Sequence, residues 1–523
     1  MNSQQTGSFN SVELGLFSSR IAAICEEMGA MLGRVAFSPN IRDRLDYSCA
    51  LFNRYGHLLG QATHIPVHLG SMAYAMVDLV ESREWRDGDM LILNDPYKGG
   101  THLPDITLVA PVFANDELVG FCANRAHHAD IGSDAPGSMP VSRTLEEEGI
   151  LIPPTLLMRN AEVEKNFLHS ILQALTSPDT SRGDFNAQIA ANLLGAGRLQ
   201  ALLAELGQAE FEQLQSSLQT WAQSLVSQSL ACIPHGQYQY QDFLDDDGHG
   251  HNDIPVKVTV NVGDSGVMVD FSGTADQVGG NLNCPIPVTA AAVFYVFRCL
   301  MPSHTPACHG ALQGVTISAP AGCLVNARSP AAVAAGNVET SSRIVDVVCG
   351  ALAQALPGRF AAASQGTMNN LAMGRRGNQG WDYYETLAGG MGAASDCDGR
   401  SARHSHMTNT LNTPVEVLEL NYPLEIERYA VRRGSGGEGQ FRGGDGVIRQ
   451  YRFLQGAEVS LLTERRRHSP WGLHGGRPGQ RGRNELDGQE LPGKVEFTAV
   501  AGQTLTIKTP GGGGYGEKPF PNK

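Results

Sequence analysis

The sequence predicts an α+β fold, a mixed multi-domain chain with a central helical segment and a β-rich C-terminal part. Two observations predict this class. The spacing of apolar residues changes along the chain between the period of helices and the two-residue period of strands. Glycine is also abundant, at 61 residues, and glycine clusters separate the short apolar runs after residue 410. Such alternation is typical of strands joined by turns.

The first predicted region, residues 1–163, combines helix and strands. Apolar residues at helical spacing predict a helix over residues 11–34. Residues 87–113 predict two strands around a loop that contains proline and glycine, and residues 117–132 predict a third strand that runs into a polar loop. This arrangement places polar side chains at the ends of neighbouring strands.

Three further regions follow. Residues 164–235 form a predicted helical segment, in which apolar side chains step by three and four and indicate core or subunit packing: Phe211, Leu214, Leu218, Trp221 and Leu225. Residues 236–410 form a predicted α/β region, with alternating valines over 256–262 and helices over 285–300 and 340–356. Residues 411–523 form the β-rich, glycine-rich region.

Composition excludes several classes of partner and location. The formal net charge of −14 argues against binding to nucleic acid or to an anionic membrane. The ten cysteines include no C-x-x-C pair, which indicates reduced thiols. No signal peptide is visible, and the longest apolar run, residues 288–297, is too short to span a bilayer. We therefore expect a cytoplasmic protein.

A candidate metal site lies in the first region. His102 and Asp105 are three residues apart, and the segment from His127 to Asp130 follows 25 residues later. A hairpin-like return of the chain would bring the two clusters together. Imidazoles combined with carboxylates suit Zn, Mn or Fe(II) better than Ca or Mg. Spacing alone also allows a structural interpretation, in which His102 caps a loop and His127 and His128 are satisfied polar residues near a turn.

Motifs along nearly the whole chain resemble those of the hydantoinase B/5-oxoprolinase family. They are NIRDRLDYSCALFN, HIPVHLGSM, LNDPYKGGTHLPDITLVAPVF, NRAHHADIGSDAPGSMP, FSGTADQVGGNLNCP, NVETSSRIVDVV, NTPVEVLELNYPLEIERY, GSGGEGQFRGGDGVIR and RRRHSPWGLHGG. The family includes B or β subunits of ATP-dependent hydantoinases, N-methylhydantoinases, oxoprolinases and caprolactamase. It also includes related subunits of acetone and acetophenone carboxylases.

The resemblance implies one divalent ion, Zn or Mn, with Asp46, His102, Asp105 and His127 as its ligands. It also implies a hetero-oligomer in which a partner A (α) subunit of the hydantoinase A family binds ATP. The sequence departs from the family pattern at Cys308–Gly310, where relatives often have N-x-G. If that loop touches substrate, the preferred substrate differs.

Four further residues are candidates for the chemistry. His128 and Asp130 follow the ligand His127 and are predicted to move a proton during catalysis. His64 and His68 are predicted to bind substrate, and they fit an alternative role as core or loop histidines equally well. Each of these predictions depends on where the fold places the side chain.

The sequence offers no nucleotide site of its own. It has no G-x-x-x-x-G-K-[ST] loop, and the glycines at 434, 436 and 439 precede no obvious helix, so a turn between strands is the better interpretation. It has no G-x-S-x-G nucleophile motif. The basic run Arg465–His468 is interpreted as a solvated strand end, with an anion or partner contact as the alternative.

The sequence thus predicts the metal-bearing subunit of an ATP-dependent cyclic amide hydrolase, which acts on a substrate that the partner subunit has phosphorylated. The first alternative is a subunit of an ATP-dependent ketone carboxylase, for which the metal ligands would be the same. The second is a structural subunit without chemistry. The substrate is expected to be a small cyclic amide, whose ring size the sequence does not determine.

Overall fold

The computed structural model describes residues 9–62, 64–377 and 380–518. Its mixture of helices and four sheets confirms the predicted α+β class. The first element, helix α1 (Ser11–Val35), confirms the helix predicted over residues 11–34. Its start is fixed by a capping box, in which the Asn10 side chain accepts hydrogen bonds from the N–H groups of Val12 and Glu13, and the Glu13 carboxylate accepts one from the Asn10 N–H.

A seven-stranded antiparallel sheet organises the N-terminal region, in the order β2-β1-β5-β4-β3-β6-β7. The elements in chain order are α2 (Pro39–Arg42), β1 (Tyr47–Asn53), β2 (Leu58–Gln61), α3 (Pro66–Glu81), β3 (Met90–Leu93), β4 (Asp105–Ala114), β5 (Glu117–His127), β6 (Thr155–Arg159) and β7 (Glu162–Val163). Alternate side chains of β1 enter different cores: Leu51 packs in the core with α1, and Phe52 packs in the core with α3.

Three helices follow: α4 (Lys165–Leu172), α5 (Pro178–Leu206) and α6 (Gln208–Leu230). They confirm the predicted helical segment. Gly207, with a φ of 78°, separates α5 from α6 in a conformation that favours glycine. Helix α5 packs against α1 and against β4 and β5. The predicted apolar seam of α6 is core packing, with Phe211, Leu214 and Leu218 all buried.

The central region builds a four-stranded sheet in the order β11-β10-β9-β8. Its elements are β8 (Gly236–Asp246), β9 (Asn252–Gly263), β10 (Gly266–Asp270), α7 (Ile286–Leu300), β11 (Val315–Ser318) and α8 (Ser341–Ala355). Helix α8 packs on β8 and β9, and α7 packs against α3 of the first region. A π-helical turn, Gly336–Thr340, leads into α8.

Two sheets make up the rest, in the orders β13-β12-β16-β19 and β14-β15-β20-β17-β18. Their elements are β12 (Asn370–Arg375), β13 (Trp381–Thr386), α9 (Val415–Asn421), β14 (Leu424–Arg432), β15 (Gly446–Phe453), β16 (Ala457–Leu462), β17 (Arg483–Leu486), β18 (Gln489–Leu491), β19 (Lys494–Ala499) and β20 (Thr504–Lys508). The first of these sheets pairs strands from before and after residue 410. The four predicted region boundaries stay predictions.

The prediction that Arg465 lies at a solvated strand end was wrong. Arg465 is fully buried, and its Nη2 lies 2.8 Å from Oδ2 of Asp242 on β8 and 2.5 Å from Oδ2 of Asp346 on α8. Both carboxylates come from distant parts of the chain, so no local pattern reveals the pairing that allows this charge to be buried.

No helix among residues 9–62, 64–377 and 380–518 combines the length and apolar character that crossing a membrane requires. All ten cysteines are free thiols, and five of them are fully buried: Cys25, Cys49, Cys122, Cys284 and Cys308.

Candidate metal centre

A β-hairpin brings the three central residues of the site together. His102 lies in the loop between β3 and β4, Asp105 is the first residue of β4, and His127 is the last residue of β5. Asp105 and His127 are direct partners in the antiparallel register of β4 and β5. The hairpin-like return that the sequence predicted is therefore confirmed, and it places the two side chains beside each other at one end of the sheet.

The three side chains converge without bonding to one another. His102 Nε2 lies 3.3 Å from Asp105 Oδ1, and His127 Nδ1 lies 3.4 Å from the same oxygen. One candidate ligand atom of each residue lies within 4.8 Å of the others. Yet His102 Nε2, Asp105 Oδ1 and His127 Nε2 have no hydrogen-bond partner, although the three residues are at most 3% exposed. Buried polar atoms without partners are costly, and a divalent cation would satisfy this set.

The second oxygen of Asp105 is fully occupied by other groups. Oδ2 accepts a 2.6 Å hydrogen bond from Thr101 Oγ1 and lies 3.3 Å from His68 Nε2 and 3.4 Å from Asn337 Nδ2. These contacts leave only Oδ1 for an ion. They are the kind of outer contact that orients metal ligands in proteins.

His102 is oriented in the same way. Its Nδ1 donates to the carbonyl oxygen of Ala334 at 3.3 Å, so that Nε2 is the nitrogen directed toward Asp105. The N–H groups of Val333 and Ala334 in turn donate to Glu148 Oε1, at 2.8 and 2.9 Å. Glu148 therefore holds the backbone segment that orients the ligand.

The protonation states match those of metal ligands. Burial disfavours an ionised Asp105, but the nearby His68 and His102 outweigh it and hold the pKa of Asp105 well below its usual value. Burial is the largest effect on His127 and lowers its pKa, which favours the neutral ring. Burial acts against a charged His102, but Asp105 raises its pKa. An ion that replaces the proton between His102 and Asp105 would leave a carboxylate and two neutral imidazoles.

Asp46, the predicted fourth ligand, lies next to this group without belonging to the three-residue cluster. Its backbone carbonyl accepts a 3.0 Å hydrogen bond from the His127 N–H, and its Oδ2 lies 3.7 Å from Arg44 Nη2. Tyr384 covers the other side of His127, with parallel rings whose centroids are 4.7 Å apart. The carboxylate of Asp46 thus has a cationic partner in this structure.

The two predicted substrate residues occupy different places. His68 lies on α3, is 2% exposed, and its Nε2 contacts Asp105 directly. His64 precedes α3, and its Nδ1 accepts a 3.1 Å hydrogen bond from the Cys49 N–H. Burial lowers the pKa of His64 to about 4. His64 lines a separate cavity, whereas His68 belongs to the surroundings of the metal centre.

The two predicted proton-transfer residues are engaged elsewhere. The His128 ring donates from Nε2 to Gln188 Oε1 of α5 at 2.9 Å. The Asp130 carboxylate accepts hydrogen bonds from the N–H groups of Gly132, at 3.2 Å, and Ser177, at 2.8 Å. These contacts anchor the loop after β5 to the start of α5.

Sequence reasoning missed Thr101, Glu148, Ala334 and Asn337. Thr101 adjoins the predicted ligand His102, and Asn337 lies in a stretch that carried the family resemblance, so both had a weak signal. The π-helical turn that carries Asn337 was a further signal only once the structure was known, since such turns are frequent at functional sites.

Comparisons with known proteins agree with this picture. The family model described as hydantoinase B/oxoprolinase matches residues 10–518. An uncharacterized protein of Methanocaldococcus jannaschii is 39% identical over 97% of this chain and 90% of its own length. The 5-oxoprolinase 1 of Arabidopsis thaliana is 38% identical over 97% of this chain, which spans only 42% of that protein. A Pseudomonas protein, named as one of the subunits of a putative D-/L-hydantoinase, is 30% identical over 94% of this chain and 88% of its own length.

Two solved structures share the fold. The ATP-dependent caprolactamase from Pseudomonas jessenii matches with a TM-score of 0.91 and 26% identity, over 98% of this chain and 92% of that chain. A nucleotide-free acetone carboxylase matches with a TM-score of 0.87 and 20% identity, over 97% of this chain and 76% of that chain. The second likeness concerns the fold alone.

Proposed function

Because the chain belongs to the hydantoinase B/oxoprolinase family, we propose that it is the metal-bearing subunit of an ATP-dependent enzyme that hydrolyses a cyclic amide. The observation that carries this proposal is the buried convergence of His102, Asp105 and His127, whose facing polar atoms lack partners. A structural subunit would have no reason to retain such a costly set of unpaired atoms.

The proposed cofactor is one divalent ion, Zn or Mn, held by His102, Asp105 and His127. Asp46 is the proposed fourth ligand, and reaching the ion would require its carboxylate to turn away from Arg44. A set of two imidazoles and one or two carboxylates suits either metal. When bound, such an ion polarises a carbonyl or phosphoryl oxygen and lowers the pKa of water.

The chain's own residues would fix the geometry of this chemistry. Thr101 and Asn337 hold one oxygen of Asp105, and the Ala334 carbonyl sets the orientation of His102. The surroundings are buried, which excludes bulk water and strengthens every charge interaction within the site. The assignment of His128 and Asp130 to proton transfer stays a prediction, since both would first have to leave their present partners.

The ATP step is proposed to take place on a partner subunit. An amide carbonyl is a poor electrophile, and phosphorylation of its oxygen would supply a good leaving group. Support comes from the absence of a P-loop motif and from the place of Gly434–Gly439, which lie in the connection between antiparallel strands β14 and β15. The Pseudomonas relative is named as one subunit of a larger enzyme, and one structural neighbour is named as ATP-dependent.

The test is reconstitution with an A-type subunit. We expect cyclic-amide-dependent ATP hydrolysis only when both subunits are present, and no dependence on bicarbonate. Equal ATP turnover by the A-type subunit alone, with the same amide, would remove the case for chemistry on this chain. Turnover that requires bicarbonate and a ketone would instead assign it to a carboxylase.

A further inference from the structure

A cavity of about 320 Å³ lies beside helices α3 and α7, and we call it the Arg298 cavity. Most of its wall is apolar, with Leu58, Ala73, Phe294 and Ala311 among the residues that line it. Its volume is at the lower end of the range of pockets for small ligands. The cavity is separate from the metal centre, because none of the three central residues lines it.

Arg298 is the one formally charged side chain among the residues that line this cavity. Its Nη2 donates to the Thr305 carbonyl at 2.6 Å, and its Nη1 lies 4.0 Å from the Met301 sulfur. Within the described parts of the chain it makes no ion pair with a carboxylate. Burial lowers the pKa of Arg298, and no acidic side chain contributes to its environment. A half-buried guanidinium without a counter-charge is unfavourable, and arginines at such depth are normally paired.

The other polar groups of the wall do not supply the missing negative charge. Burial raises the pKa of Cys308 to about 11 and lowers that of His64 to about 4, so both are neutral at pH 7. Asn409 donates to the backbone carbonyl of His64 at 3.3 Å. The positive charge of Arg298 is thus left for a group from outside the chain.

We propose that the Arg298 cavity binds a small organic carboxylate with an apolar body. The carboxylate lies against the free guanidinium edge of Arg298, which can donate two parallel hydrogen bonds to it. The apolar body contacts the alanine- and leucine-rich wall. The assignment depends on charge and shape in this cavity and goes beyond the metal chemistry proposed above.

Helix α3 links the cavity to the metal centre. Pro66, Gly70 and Ala73 face the cavity, while His68 on the same helix contacts Asp105. Gly70 lies so close to α7 that an added Cβ would come within 2.5 Å of the Ala291 Cα. A ligand between these two helices is therefore well placed to influence the position of His68. Cys308, at the site where the sequence departs from the family pattern, also lines the cavity, so that ligand preference is expected to differ from that of relatives with N-x-G there.

The test measures binding by isothermal titration calorimetry to the full, metal-loaded chain without ATP. Two matched pairs of probes separate charge from shape: 5-oxoproline with 2-pyrrolidinone, and cyclohexanecarboxylate with cyclohexanecarboxamide. We expect at least one carboxylate to bind with a Kd below about 1 mM and its neutral partner to bind at least about tenfold more weakly. If neither carboxylate binds in this range, the proposal is overturned.

Three variants locate the site. Arg298→Gln is expected to weaken carboxylate binding at least about tenfold, and Ala311→Leu is expected to weaken it by filling the cavity while it leaves Arg298 in place. Asp105→Asn, which alters the metal centre, is expected to leave binding unchanged. Binding that is lost in Asp105→Asn but kept in Arg298→Gln and Ala311→Leu would place the carboxylate on the metal centre and overturn the proposal. Because the readout is binding, failure of the proposed hydrolase activity would not affect it.

Discussion

Thr101 Oγ1 donates a 2.6 Å hydrogen bond to Oδ2 of Asp105, and this contact reserves the other carboxylate oxygen for the centre between His102 and His127. Thr101→Val keeps the shape of the side chain and removes the donor. We expect a divalent-ion affinity about 10- to 100-fold lower, the usual effect of losing an outer contact to a metal ligand. Thr101→Ser, which keeps the hydroxyl, should retain most of the affinity. Equal affinities for all three proteins, measured by competition with a chelating dye, would contradict this role.

Asn337 contacts the same oxygen from the opposite side of the fold, with Nδ2 at 3.4 Å. We expect Asn337→Ala to lower metal affinity by a smaller factor than Thr101→Val, because the contact is longer. The visible spectrum of the cobalt-loaded protein should also change as Asp105 gains freedom. Asn326→Ala is a matched control, since Asn326 donates a comparable bond to the Ala319 carbonyl away from the centre. Identical spectra for the wild type and both variants would exclude a positioning role for Asn337.

Glu148 gives a prediction about pH. Burial raises the pKa of its carboxyl to about 7 from an ordinary 4.5. The folded protein thus favours the protonated form, and the resulting stabilisation is full below about pH 4.5 and is lost as the pH rises to about 7. Glu148→Gln keeps an acceptor oxygen for the N–H groups of Val333 and Ala334 but cannot ionise.

We therefore expect the wild type to lose stability relative to Glu148→Gln by up to about 1.4 kcal/mol per pH unit between those limits. Urea denaturation of both proteins at several pH values measures this difference. A difference in the free energy of unfolding that stays constant from pH 4.5 to pH 7.5 would show that Glu148 is ionised in the folded protein throughout.

His128 allows the structure and the sequence-based prediction to be tested against each other. A proton-transfer role predicts that His128→Gln lowers the turnover rate about 10²- to 10⁴-fold. The bond from His128 to Gln188 instead predicts a change of less than about tenfold in rate, with a loss of about 1 kcal/mol in stability. The rate of amide-dependent ATP hydrolysis and a thermal melt of the same samples distinguish the two. Asp130→Asn serves as the companion variant, because its carboxylate oxygens accept only backbone N–H groups of Gly132 and Ser177.

The sequence was sufficient for the parts of the site that local structure determines. Asp105 and His127 meet because β4 and β5 form a hairpin, and strand pairing of neighbouring segments follows from alternation and a short turn. The contact of His68 with Asp105 depends on how α3 packs on the sheet, so the sequence could only suggest a pocket residue. Ala334 and Asn337 lie 232 residues from the side chains they orient, and nothing local reveals such a contact.

The same limit explains the error at Arg465. A basic run near a strand end is usually solvated, but here Asp242 and Asp346 supply buried counter-charges from two distant elements. Conversely, the glycines at 434–439 were correctly predicted to lie between strands, because the absence of a following helix is a local property.

The metal content of the purified chain tests the central claim most directly. The wild type, isolated with its A-type subunit and dialysed, should retain about one Zn or Mn per chain by plasma mass spectrometry, as a buried site with three to four protein ligands predicts. Asp105→Asn and His102→Ala should lose the ion and amide-dependent turnover together, with folding checked by circular dichroism. If both variants keep the bound metal and full turnover, His102 and Asp105 do not hold the metal.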